Sequence, residues 1–162
     1  MAITKIIADS ITSGAIANTP YFQATMSAHQ SPANNALTKV NFDTASIDSD
    51  SDYDTTNKRF VPQTAGKFLI HAEIFLSGNA ADNLYSGKIS LYKNGSRINS
   101  SDWFFNTNFI DSASLHVQAI VDMNGSTDYL EIYGLVRTNT GSGINIYRDD
   151  NRCVYQGYKL IT

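Results

Sequence analysis

The chain has 162 residues, long enough for one domain with a sizeable core. Apolar residues are 42% and charged residues 17%, and nine Tyr and eight Phe stand among many Thr, Ser, Asn and Ile, a balance that favours strands and polar turns over helix bundles. A net charge of −3 without a Lys- or Arg-rich stripe argues against nucleic-acid binding, and the single cysteine, Cys153, rules out a disulfide within the chain.

Residues 1–19 read apart from the rest: Ile3, Ile6, Ile7, Ile11 and Ile16 are scattered among small polar residues. The four-residue steps Ile3, Ile7, Ile11 fit one face of a short helix, but Thr, Ser and Gly14 disfavour a helix standing alone. The segment is therefore expected to be an arm, for attachment or trimer contact, that takes order from a partner, with Ile3, Ile6, Ile7 and Ile11 as its docking residues. No unbroken apolar stretch marks a signal peptide or a membrane span, so the expected site of synthesis is a cytoplasm.

From Pro20 to the end, residues 20–162, the pattern is of short strands. Tyr21–Met26 alternates, with Phe22, Ala24 and Met26 inward. A strand is expected over Leu37–Phe42, a long acidic loop over residues 43–58, and strands at Arg59–Val61 and Gly66–Leu76. The last alternates clearly: Phe68, Ile70, Ala72, Ile74 and Leu76 face one way, and Lys67, Leu69, His71, Glu73 and Phe75 the other. Gly87–Lys93 and Arg97–Asn99 flank Asn94-Gly95, a pair that tolerates positive φ and marks a hairpin. Residues 100–112 read as a loop with an aromatic cluster, Ala113–Asp122 and Tyr129–Val136 as strands about the turn Asn124-Gly125-Ser126, residues 137–151 as a Gly- and Asn-rich loop, and Cys153–Ile161 as the last strand. About ten antiparallel strands and no helix give an all-β jelly-roll sandwich. Cys153 reads as a small packed residue in an apolar run.

Several pieces, in order, resemble the C1q/tumour-necrosis-factor-like jelly-roll family: Tyr21-Phe22-Gln23-Ala24, Val40-Asn41-Phe42-Asp43, Phe60-Val61-Pro62 with Ala65-Gly66-Lys67-Phe68, Leu91-Tyr92-Lys93-Asn94-Gly95, and the closing Tyr155-Gln156-Gly157-Tyr158-Lys159-Leu160. No collagen-like Gly-X-Y stalk precedes them in this sequence. The arm Ile3-Thr4-Lys5-Ile6-Ile7-Ala8-Asp9-Ser10-Ile11-Thr12 is similar to the leader before such domains in tailed-bacteriophage structural proteins. The resemblance implies a homotrimer about a threefold axis. The axis-facing residues it implies are Leu69, His71 and Phe75 from one strand, His116, Gln118 and Ile120 from a second, and Tyr155, Gly157 and Ile161 from the last. It further implies a virion component, a tail fibre or capsid-surface fibre or decoration, whose partners are other virion proteins and a host-surface glycan or protein. A stand-alone glycan- or ligand-binding adhesion module is the alternative.

Motifs of catalysis are missing: there is no G-x-S-x-G, P-loop, H-E-x-x-H or CxxC, and only three histidines, His29, His71 and His116. The expectation is a binding protein and not an enzyme. Asp48, Asp50, Asp52 and Asp54 resemble part of a Ca²⁺ loop, but Tyr53 stands where that loop needs Gly and Arg59 where it needs Glu; a solvated acidic loop is the other reading. Trp103, Phe104, Phe105 and Phe109, with Tyr147 and Arg148 of the Gly-rich loop, are the candidate recognition residues.

Overall fold

The structure, a computed structural model, describes residues 18–105, 107–142, 144–148 and 152–161. Ile3, Ile6, Ile7 and Ile11 lie outside the described residues. Among the described residues twelve strands appear: β1 (Tyr21–Thr25), β2 (Thr38–Lys39), β3 (Thr44–Asp48), β4 (Tyr53–Asp54), β5 (Arg59–Phe60), β6 (Gly66–Ser77), β7 (Leu84–Lys93), β8 (Ser96–Phe104), β9 (Ser112–Met123), β10 (Leu130–Thr138), β11 (Asn145–Ile146) and β12 (Val154–Lys159).

They form two antiparallel six-stranded sheets. In the first, β9 pairs with β6 along its whole length, followed by β12, β1 and β3, while β11 takes up the last two residues of β6. In the second the order is β4-β5-β10-β7-β8, with β2 also on β10. This is the all-β jelly-roll sandwich that strand patterning calls for.

The core is the slab between the sheets. Phe68, Ile70, Ala72, Ile74 and Leu76 of β6 are fully buried, facing Ile89 and Leu91 of β7 and Leu130, Ile132 and Val136 of β10. Near the start of β6 an aromatic cluster fills the slab: Phe22 stacks on Phe60 at 4.2 Å and meets the edge of Tyr155 at 4.9 Å. The expected hairpin joins β7 to β8, and Asn94 and Gly95 have φ of 51° and 78°. At the same end Gly125 backs onto the 61–65 turn; a Cβ there would stand 2.2 Å from the Ala65 nitrogen, so only glycine fits.

Several expectations of local structure are corrected. The strand expected over Leu37–Phe42 is only β2, Thr38–Lys39, and the expected 137–151 loop contains β11. The acidic loop contains β3 and β4, because Thr-Ala-Ser-Ile-Asp is an edge strand with little to bury and so lacks a clean apolar alternation. The expected 100–112 loop begins as strand: β8 runs on to Phe104, held by pairing with β7 as far as Ser86↔Phe104. On the last strand the faces are exchanged, with Tyr155 and Gly157 inward. The register gives the reason, since Tyr155 lies opposite Ala72 and Gly157 opposite Ile70, both core positions.

Candidate interaction face

The outward side of the first sheet is built in rows, because cross-strand partners share a face. In one row Leu69 of β6 lies between Ile120 of β9 and Tyr158 of β12, and Tyr158 is opposite Tyr21 of β1. In the next row His71 lies between Gln118 and Gln156, and Gln23 and Ile47 continue it across β1 and β3. In the third, Glu73 lies between His116 and Val154. An apolar row is thus followed by an amide and imidazole row, then by a charged one.

Ile120 is 62% exposed, Ile47 46%, Tyr21 45% and Tyr158 41%, so large apolar groups stand in solvent side by side on one chain. A trough of about 600 Å³ is lined by Tyr21, Ile47 and Tyr158 together with Asn18, Leu69, His71 and Gln118 among others. Gly157 forms part of its lining. A Cβ at Gly157 would meet the Ile70 side chain at 2.6 Å and Phe22 at 3.1 Å, so any side chain there would enter the core.

His71 is half-buried and its Nδ1 is enclosed without a hydrogen-bond partner among the described residues. Burial lowers its pKa below 6.5, Glu73 pulls the other way, and His116 adds to the lowering. The His71 and His116 rings are 6.3 Å apart and nearly parallel.

The outward side of the second sheet differs. Lys88 pairs with Asp102 at 2.9 Å, Lys39 pairs with Glu131, and Tyr92 packs on Tyr133 at 4.5 Å. These ion pairs are closed within the chain, as on an ordinary wet surface.

The candidate recognition residues gather at the end of the sandwich opposite Asn18. Trp103 and Phe104 are exposed on β8, Phe105 packs on the core and meets Trp103 edge-on at 6.1 Å, and Phe109 leans on Tyr85 at 5.5 Å. Phe105 and Phe109 are therefore mainly packing residues, and Trp103 and Phe104 the exposed pair. Tyr147 stacks on His29 at 3.9 Å, and the Arg148 backbone N–H donates to His29 Nδ1 at 2.8 Å. The Arg148 Nε donates to the Met26 carbonyl at 3.2 Å, so this arginine clamps its loop to the strand end.

The aspartates do not converge. Asp48 accepts the N–H groups of Asp52 and Tyr53, and Asp54 accepts from Asn57 and Arg59. Asp52 is buried and accepts the Gln63 N–H, with burial, Asp50 and Asp48 raising its pKa against that hydrogen bond. Among the described residues no three His, Cys, Asp or Glu side chains gather as a metal would need. Asp48, Asp52 and Asp54 of the candidate Ca²⁺ set fasten their loop by hydrogen bonds, and Asp50 is exposed.

Of the expected axis-facing residues, Leu69, His71, Phe75, His116, Gln118 and Ile120 lie on the outward side, where β6 and β9 alternation put them. Tyr155 and Gly157 are corrected: Tyr155 is wholly buried in the core and Gly157 points into it. Ile161 lies beyond β12 and is exposed. Their places on the face belong to Gln156 and Tyr158. Tyr21 and Gln23 were legible from the inward set Phe22, Ala24, Met26, whereas Ile47 sits on an edge strand that the pattern conceals.

The fold is the C1q/TNF-like jelly roll. The chain is similar to the globular domain of zebrafish complement 1qA protein, with TM-score 0.61 and 11% identity over 88% of this chain and 98% of that one. It is similar to murine APRIL at pH 5.0, with TM-score 0.63 and 10% identity over 86% and 98%. Eiger TNF from S. frugiperda matches with TM-score 0.58 and 11% identity over 87% and 90%. No family model and no curated protein matches the sequence.

Proposed function

We propose that the chain is a homotrimeric C1q-like knob of a tailed-phage virion, attached by its N-terminal arm as part of a tail fibre or a capsid-surface fibre or decoration, and acting by binding. The observation that carries the trimer is the outward side of the first sheet, where Leu69, Ile120, Tyr158 and Tyr21 form an apolar row beside the His71 amide row. Exposed apolar groups also continue around the edge, at Ile98 on β8 beside β9. Two adjoining but distinct surfaces, a face and an edge, fit a head-to-tail contact that closes into a ring. A C1q/TNF-like fold and the resemblance of the sequence favour a ring of three.

The arm resembles phage leaders, which supports the virion setting, and Ile3, Ile6, Ile7 and Ile11 are its docking residues. The opposite end, with Trp103, Phe104 and Tyr147, is the surface offered to a host glycan or protein. Two experiments test this reading. The full chain in solution is expected to have three times the mass of one chain; a monomer overturns the knob. Deleting residues 1–19 is expected to abolish incorporation into particles while leaving the trimer. A truncated chain that binds a glycan array but is dispensable for particles favours the stand-alone adhesion module instead.

A further inference from the structure

We infer that the trimer face carries an acid-sensitive release built on His71 and His116; this rests on the trimer reading above. His71 sits at the centre of the face, flanked by the uncharged Gln118 and Gln156, and its enclosed Nδ1 makes no hydrogen bond among the described residues. A proton placed there is a buried N–H⁺ without a partner, which is costly. A proton on His116 adds a like charge, its ring 6.3 Å from that of His71.

The charged and titratable groups facing this pair are few. From β6 they are Glu73 and, at the rim, Lys67; from β9, Asp122, which pairs with Lys67 at 2.6 Å. From β12 comes Tyr158 and from β1 Tyr21, while the β3 carboxylate of Asp48 is turned to the backbone of Asp52 and Tyr53. The rim pair cancels, and beyond Glu73 the Arg152 guanidinium lies 3.6 Å from the centroid of the Phe75 ring, on the same outward side of β6. Protonating both imidazoles adds two positive charges per copy to a face on which Glu73 supplies the facing carboxylate. In a trimer these groups repeat on one buried face, where unmatched like charges are hardest to hold. Burial against neighbouring copies also deepens the desolvation that already lowers the His71 pKa.

The test is the mass of the full chain by sedimentation between about pH 8 and about pH 5, the range in which histidine changes charge, with far-UV circular dichroism on the same samples. The expected result is a trimer at the upper pH, with subunit affinity weakened about tenfold or more at the lower, and the β-sheet signal retained. His71→Gln/His116→Gln is expected to remain trimeric throughout, and His116→Gln alone to lose part of the sensitivity. An unchanged wild-type trimer at the lower pH, equal acid loss in the double variant, or loss of mass together with the sheet signal would overturn the inference. A monomer at the upper pH overturns the trimer reading itself, a result separable from these.

Discussion

At the scale of single residues, Tyr155 shows how an isolated side chain is misread. Its hydroxyl suggests a surface, yet the ring is wholly buried against Phe22, Phe42 and Tyr53, and its hydroxyl finds no partner among the described residues. Tyr155→Phe is therefore expected to cost nothing and to gain up to about 1 kcal/mol in denaturant unfolding, because a desolvated hydroxyl is removed without leaving a void. A loss of that size or more would show that the hydroxyl is satisfied. Asp128 is the opposite case. Lys93 and Asn94, with the Asn124 N–H, hold its carboxyl at about 2 against an ordinary 3.8. A lowered carboxylate pKa stabilises the fold above the ordinary value and loses that contribution as pH falls through the folded one. Wild type should thus lose more stability than Asp128→Asn as the pH drops from 3.8 towards 2; parallel urea-unfolding curves across that window would contradict it. No alternation rule reveals either environment, since both depend on distant residues.

At the scale of elements, legibility follows burial. β6 and β9 were plain because each has an unbroken apolar inner set. The β7–β8 hairpin was plain because Asn94-Gly95 is compatible with the turn's positive φ. β3 was concealed because an edge strand needs few apolar residues, and the extent of β8 was concealed because most of it is exposed. On β12 the sequence Val-Tyr-Gln-Gly-Tyr-Lys offers a tyrosine to either face, and only pairing with β6 decides between them. Gly157 marks the chosen parity. Gly157→Val should destabilise the fold by about 1–3 kcal/mol through overpacking against Ile70 and Phe22. Tolerance of that change, seen as an unaltered thermal midpoint, would mean that β12 has slipped or turned.

At the scale of the whole molecule, the contrast between the two outer sides matters most. One carries the ion pairs Lys88–Asp102 and Lys39–Glu131; the other presents exposed Ile120 and a trough bordered by Tyr21, Tyr158 and Ile47. Alternation showed that the six candidates on β6 and β9 share one side, and the resemblance implied that this side faces an axis, but the continuity of the face across β12, β1 and β3 became visible only with strand order. Ile120→Lys places a charge in the apolar row and should convert the assembly to monomers without unfolding them, since the side chain is exposed in the single chain. The most direct test of the trimeric knob is the light-scattering mass of the wild-type full chain near neutral pH. The account predicts three times the 17.8 kDa chain mass, and a mass of one chain that does not rise with concentration would contradict it.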